Sequence, residues 1–539
     1  MSTLVFYNGP IYTLNAEQPV VRALAVRDGR IVALGSEGRV QASVAGQRGE
    51  PINLRGRALV PGLTDAHVHI IQQGLTLYEV HLAGVTSLKE AQKLIAERSA
   101  QLPAGTWLRG GGWNHSAWGQ SWPTRADLDA VCADRPVILT RKDGHSLWVN
   151  SRALSLAGIT ATTPHPEGGQ IQRDRNGQPT GILIEAAMDL VLAVVPPLTE
   201  EERLAALRAA LREALSYGLT SFHVVPLPNH ASGPEVLRDL QTLRTRGELS
   251  LRALVYFAPP DLEGVIHMGL RSGFGDHWLR LGGLKLFADG SLGSESAEML
   301  SHYEGRRHTG MATLEPEVLD ATIRRANLHG ISVAVHAIGD AANRKVLNAM
   351  ERAAADRAAL GDAAPPLALP NRIEHVQVIH AKDLPRLAAL GIIASMQPIH
   401  CTSDIEAAEA LWGERCANAY AWRSLHESGA TLAFGSDAPV ESMNPWFGLH
   451  AAVTRQRPNG WPEHGWYPEE CLSVEDAMRA YCIGPAIASA EADCKGQLRI
   501  GNLADFAVLT GDPFRSQPYE LPALTAAMTV VGGKVVFER

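Results

Sequence analysis

The sequence predicts an α/β fold: a (β/α)8 TIM-like barrel, a small β-sandwich formed by both chain ends, and a subdomain inserted after the first barrel strand. Three observations carry this. Eight short apolar segments alternate with amphipathic stretches along most of the chain, the pattern of parallel strands returned by helices. Histidine, lysine or aspartate stands at or just beyond the carboxyl end of several of them, where barrel enzymes place their chemistry. The two termini also share a strand-and-turn character that differs from the middle.

Residues 1–57 read as short strands with tight turns, LVFYNGPIYTL followed by RALAVRDGRIVALG with Asp28-Gly29 at a hairpin position. Residues 491–539 carry the same signals in NLADFAVLTGDPF and AAMTVVGGKVVFER. Neither end can bury a sheet face alone, so the two are expected to pair into the β-sandwich. The barrel then occupies 58–490, its strands expected at Leu59–Thr64, Leu219–Val224, Leu251–Phe257, Leu279–Phe287, Ile331–His336, Arg372–Val376, Ile392–Met396 and Thr431–Gly435. Glu201–Tyr217 and Asp340–Asp356 have apolar residues at three- and four-residue spacing and are expected helices.

The stretch between the first two strands is far longer than an ordinary βα connection, so 75–197 is assigned to an inserted, substrate-capping subdomain. It carries five of the 11 tryptophans: Trp107, Trp113, Trp118, Trp122 and Trp148. A small local core accounts for at least half of them, and the others could wall a pocket for an apolar substrate group. Within this region RKDGHSLWVN (141–150) is placed nearest the substrate, with His145 to polarise a carbonyl or hold a carboxylate, or to be an ordinary loop histidine.

Six residues are candidates for one metal site: His67, His69, Lys285, His336, His375 and Asp437. In RALVPGLTDAHVHI an apolar strand runs out into a loop, and side chains two apart in extended chain point the same way, so His67 and His69 can grip one ion. The pair alone is a weak signal. Lys285 lies inside the apolar run LRLGGLKLFADGS, where an unpaired ammonium costs several kcal/mol to bury. Its compensation is either an ion pair with Asp289 or Glu295, or reaction with carbon dioxide to a carbamate that bridges two metals. ISVAVHAIGD, NRIEHVQVIH and TLAFGSDAPVES then deliver His336, His375 and Asp437 at strand ends, each separated by enough chain for a helix and a returning strand. Cys401, in PIHCTSD, is read as a buried bystander.

Composition excludes other classes. A net charge of −8 with no basic run argues against nucleic acid or an anionic membrane as partner. The longest apolar stretch, AAMDLVLAVVPPL, is interrupted by Asp189 and too short to span a bilayer. MSTLVFYNGPIY has neither a charged n-region nor a continuous h-region, and six cysteines form no C-x-x-C pair, so a reducing, cytoplasmic location is expected. P-loop, G-x-S-x-G and dinucleotide-binding fingerprints are absent, and ADGSLGSESA lacks the lysine and spacing of a phosphate cradle. Oligomeric state is not legible, and a homodimer stays open.

The order H-x-H, strand lysine, two single histidines and a final aspartate resembles the amidohydrolase superfamily. GGWNHSAWG (111–119), RKDGHSLWVNSRAL (141–154), PEGGQIQRDRNGQPTGILIEAA (166–187), KLFADGSLGSESA (285–297), HAIGDAANRKVL (336–347), RIEHVQVI (372–379) and FGSDAPVESMNPWFGLHAAVTR (434–455) resemble its family 3, which includes N-substituted formamide deformylase. The resemblance covers essentially the whole chain. It implies one or two divalent metal ions, zinc suiting the donors best, with His67, His69 and Asp437 on the more buried one, His336 and His375 on the second, and carboxylated Lys285 as the bridge. The implied activity is hydrolysis of a non-peptide linear amide C–N bond, of N-substituted formamide or N-acyl amine type, by metal-activated hydroxide. Asp437 would be ligand and base, and His145 would help to hold the oxyanion. The alternatives are a deaminase or cyclic-amide hydrolase of the same superfamily, and a non-catalytic binding protein.

Overall fold

The computed structural model describes residues 3–45, 49–82, 84–103, 105–119, 121–141, 146–227 and 233–539. The chain divides into two compact units, Met1–Ile70 with Arg208–Arg539, and Ile71–Leu207.

Eight parallel strands of the first unit follow one another in sequence order: β1 (Leu63–Val68), β2 (Leu219–Val224), β3 (Arg252–Phe257), β4 (Leu279–Phe287), β5 (Val333–Ala337), β6 (Arg372–His375), β7 (Ile393–Met396) and β8 (Leu432–Phe434). The ring is nearly closed. Val68 bridges Ala438 in parallel register, Asp437 N donates to His67 O at 2.7 Å and His69 N to Ala438 O at 2.9 Å. Most of these strands are buried along their whole length, so they do not alternate apolar with polar as a half-exposed strand does, and the polar residues within β1 and β6 are themselves buried. Helices Gly233–Thr245, Pro316–Leu328, Asp340–Leu360 and Val474–Ala488 are among the returns.

The first expected strand is corrected. Leu59–Pro61 and Leu63–Val68 are separate strands, and only the second enters the barrel; Leu59–Pro61 pairs with Phe506–Leu509. Gly62 is the cause. A Cβ there would lie 2.2 Å from Thr220 Oγ1, so only glycine allows the chain to cross this close to β2 and change sheets. As a result His67 belongs to the strand itself, and only His69 lies beyond its end.

Strands from both chain ends share one eight-stranded sheet, with Thr3–Tyr12, Val20–Arg27, Arg30–Gly35, Gly49–Asn53 and Leu59–Pro61 joined by Phe506–Leu509, Ala526–Val531 and Lys534–Glu538. The two ends bury one another's side chains: Phe6, Ile11 and Leu24 pack with Phe506, Val508 and Val530, and the Phe6 and Phe506 rings meet edge to face at 4.9 Å. Asp28 and Gly29 turn the first hairpin with φ of 51° and 77°, the left-handed pair that a two-residue turn requires.

The second unit holds a six-stranded sheet ordered Gly169–Arg173, Pro179–Glu185, Ser146–Val149, Val137–Arg141, Leu108–Trp113, Val80–His81. Its tryptophans fill its own cores. Trp113 and Trp148 are fully buried with rings 6.0 Å apart, Trp118 and Trp122 pack against the same cluster, and Trp107 packs against a second one. His145 lies outside the described residues.

Candidate metal centre

The carboxyl ends of β1 and β8 are tied by a carboxylate that the sequence reading did not single out. Asp65 Oδ1 accepts the backbone N–H of His67 at 3.1 Å and of Ser436 at 2.9 Å, and Oδ2 accepts Ser436 Oγ–H at 2.5 Å. Burial pushes the Asp65 carboxyl up to about 6 against these hydrogen bonds. Asp437 and His375 both have positive φ, 60° and 77°. Non-glycine residues hold that conformation only where their surroundings over-determine it, which is common where side chains must be aimed.

His67, His69 and Asp437 converge. His67 Nε2 lies 3.2 Å and His69 Nε2 3.0 Å from Asp437 Oδ1, and all three residues are buried. The tautomer of His69 follows from its partner. Nδ1 lies 2.8 Å from Val225 O, a carbonyl that only accepts, so Nδ1 carries the proton and Nε2 keeps its lone pair. His67 Nδ1 sits 2.5 Å from Glu374 Oε2 with the same effect. Two imidazole lone pairs and a carboxylate oxygen then face one point. They are too close to be strangers and not aligned for hydrogen bonding, since Asp437 Oδ1 has no hydrogen-bond partner among the described residues. Such a cluster of unsaturated donors suits a divalent cation.

His375 adjoins the same cluster. Its ring lies 4.9 Å from that of His67 and 4.5 Å from that of His336, and its Nδ1 is 2.7 Å from Gln397 Oε1. His375, His400 and Asp437 form a second close group of donor atoms. His400 was missed by the sequence reading, which looked at its neighbour Cys401. Its signal was available: it follows β7 closely, in the helix Pro398–Ser403, as His69 and Asp437 follow their strands. His400 Nε2 donates to Asp437 Oδ2 at 3.1 Å. Burial alone would lower its pKa, yet hydrogen bonds to Asp437 and Glu441 hold it up to about 10. Cys401 itself is buried, its thiol pushed up to about 12 by burial.

His336 stands beside this cluster and contributes no atom to either close group. Its Nε2 lies 3.0 Å from Gly290 O, so Nε2 carries the proton and Nδ1 the lone pair. Burial, then the charge of Lys285, drive its pKa down to about 3, so it is a neutral donor. Lys285 is 1% exposed, and its Nζ has no hydrogen-bond partner among the described residues. The simple ion pairs expected for it are not made. Glu295 pairs instead with Arg306 at 2.7 Å, and Asp289 accepts the backbone N–H groups of Glu298, Ile338 and Gly339. Burial lowers the Lys285 pKa to about 8, opposed by the charges of Glu374 and Asp437.

Behind the histidines the barrel interior is charged. Arg372 and Glu374, both 0% exposed, hydrogen-bond each other along β6. Arg372 also donates to Ala66 O at 2.7 Å, lies 3.0 Å from His223 Nδ1 and stacks 4.6 Å over Tyr256. Burial would raise the Glu374 pKa, but the charges of Arg372 and His67 hold it well below the usual carboxylate range. For Asp437 burial again acts upward and is outweighed by His67 and His400, so this carboxylate also stays ionised.

An eight-stranded parallel ring with imidazoles and a carboxylate at its strand ends defines a class, the metal-dependent hydrolases. Comparison with known proteins narrows it. Residues 50–537 match the model of the amidohydrolase family. The chain is 34% identical over 538 residues to putative amidohydrolase YtcJ of Bacillus subtilis (strain 168), covering 99% of each. It is 28% identical over 565 residues to N-substituted formamide deformylase of Arthrobacter pascens, covering 100% of this chain and 99% of that one. The crystal structure of an uncharacterized metal-dependent hydrolase from Pyrococcus horikoshii OT3 superposes with a TM-score of 0.78 at 28% identity, over 96% of this chain and 99% of the other. The chain belongs to the amidohydrolase family, and is a metal-dependent hydrolase acting on carbon–nitrogen bonds other than peptide bonds. Among the described residues no helix is long and apolar enough to cross a membrane.

Proposed function

We propose that the protein hydrolyses a linear amide C–N bond of N-substituted formamide or N-acyl amine type, using zinc held by His67, His69 and Asp437, with His336, His375 and carboxylated Lys285 completing a second position. The observation that carries this is the approach of two imidazole lone pairs to one carboxylate oxygen that has no hydrogen bond of its own. The likeness to the Arthrobacter deformylase supports the substrate type. A cation in this cage supplies Lewis-acid activation of water and of the amide carbonyl.

The chain's own groups handle the proton. Asp437, ionised at neutral pH, accepts the proton of the attacking water at its carboxylate. The amide nitrogen must gain that proton before it leaves, because an amine anion is too poor a leaving group. His400, charged and bonded to Asp437 Oδ2, fixes the carboxylate's orientation during the transfer. Lys285 supports the carbamate reading. Burial lowers the pKa of this amine to about 8, which raises its neutral fraction near physiological pH well above that of an exposed lysine, and the neutral amine is the form that adds carbon dioxide. The carbamate would exchange a buried ammonium that makes no hydrogen bond among the described residues for an anionic group. The cysteines, free throughout, support a reducing, cytoplasmic setting.

The test is metal analysis with a panel of N-substituted formamides, N-acyl amines, cyclic amides and aminopurines. Turnover of the linear amides by metal-loaded enzyme, lost on chelation and restored by zinc, is the expected result. Turnover confined to aminopurines would make the protein a deaminase, and metal binding without turnover a binding protein.

A further inference from the structure

Beside Lys285 and His336 a cavity of about 530 Å³ opens from the ends of β4 and β5. Its lining is of two kinds: Lys285, Asp289 and His336 bring polar or charged groups, while Leu227, Pro259, Phe287 and Leu314 are apolar. Asp289 accepts three backbone N–H groups, which hold its carboxyl group in place. The hydroxyls on the rim satisfy one another, Ser291 Oγ lying 2.9 Å and Ser296 Oγ 2.5 Å from Ser294 Oγ. Phe287 joins the two halves: its ring centroid lies 4.8 Å from Lys285 Nζ and 5.4 Å from the His336 ring.

We propose that this cavity receives the substituent on the nitrogen of the amide, and that the substituent is an uncharged alkyl or aryl group. The inference rests on the amide-hydrolase reading above and adds the identity of the leaving amine. An apolar wall rewards removal of apolar surface from water and penalises a charge that it cannot pair. The volume admits a group well beyond methyl. With the carbonyl held against the imidazoles, the nitrogen substituent has the space next to Phe287 and Leu314 available to it.

The experiment uses metal-loaded full-length enzyme and two series, N-alkylformamides of increasing chain length and N-methyl amides of increasing acyl length. In the N-alkyl series kcat/KM is expected to rise about fourfold for each methylene buried, and little in the acyl series. Leu314→Lys, on a half-exposed wall residue, is expected to cut the ratio of kcat/KM for N-hexyl- over N-methylformamide at least about tenfold. Leu314→Gln repeats the test without adding a charge and is expected to lower the ratio less. A rise confined to the acyl series, or a ratio within about twofold of wild type in both variants, overturns the assignment while leaving the amidase reading intact. Absence of turnover on every amide in both series overturns that reading and the subsite with it.

Discussion

Glu374→Gln isolates how the charged barrel interior supports the candidate metal site. The wild-type carboxylate accepts from Arg372 through one oxygen and faces His67 Nδ1 through the other, and all three side chains are essentially inaccessible to water. Glutamine keeps the shape but has one acceptor where two donors compete, and its amide adds a donor that neither can accept. Arg372 is then a buried cation without a counter-charge, its remaining contacts being Ala66 O, His223 and the Tyr256 ring. Breaking a buried pair from one side costs about 3–5 kcal/mol. His67, freed of the group that fixes its tautomer, should bind metal about 10–100-fold more weakly, the usual effect of losing such a partner. Urea unfolding of the metal-free protein reads the first quantity and competitive metal titration the second. Arg372→Met/Glu374→Gln removes both charges, so its loss of stability should fall well short of the sum of the two single variants, while its metal affinity stays low. Unchanged stability to within about 0.5 kcal/mol, or metal affinity within about twofold of wild type, would refute the claim that this pair holds the cage.

The other expectations need fewer steps. Asp437→Asn should keep metal at His67 and His69 but lose about 10²–10⁴-fold in kcat, seen as near-stoichiometric metal in an almost inactive protein; near-normal turnover would remove Asp437 from the base role. Metal loading and activity of apo-protein should rise with added bicarbonate if Lys285 takes up carbon dioxide, and Lys285→Met should abolish that dependence; indifference of the wild type to bicarbonate means no carbamate bridge. Glu491 has its carboxyl pulled from 4.5 to about 2, burial being outweighed by Lys495 at 2.8 Å and Arg280 at 3.2 Å. Its contribution, up to about 3 kcal/mol, is therefore complete above pH about 4.5 and lost as pH falls toward 2. Glu491→Gln should flatten that limb of urea stability measured against pH. Gly62→Ala should destabilise by about 1–3 kcal/mol, since its Cβ would strike Thr220; an unchanged urea midpoint would show that the crossing relaxes.

How much of this was legible follows from which forces act along the chain and which across it. Buried strands such as β3 and β8 leave apolar runs, while β1 and β6 carry buried charged residues inside apolar surroundings, and the short offset at the first strand arose because the reason for Gly62 is a side chain 158 positions away. The placement of His69, His336, His375 and Asp437 at strand ends was readable because strand termini are marked locally by glycine, proline and polar residues. His400 follows the same rule after β7 and was passed over because the cysteine beside it drew the chemical reading. Asp65 and the Arg372–Glu374 pair were out of reach for a different reason. Each looks like an ordinary polar residue in an apolar run, and its meaning lies in partners on other strands: Ser436 for Asp65, and Ala66, His67 and His223 for the pair. The same logic turns the absence of a partner into information. An ion pair for Lys285 with Asp289 or Glu295 was a fair expectation from proximity in sequence, but both carboxylates are engaged elsewhere. A lysine that the fold buries without a hydrogen bond is pressed toward its neutral form or toward a different chemical form, and the response of metal loading to bicarbonate decides whether a carbamate is that form.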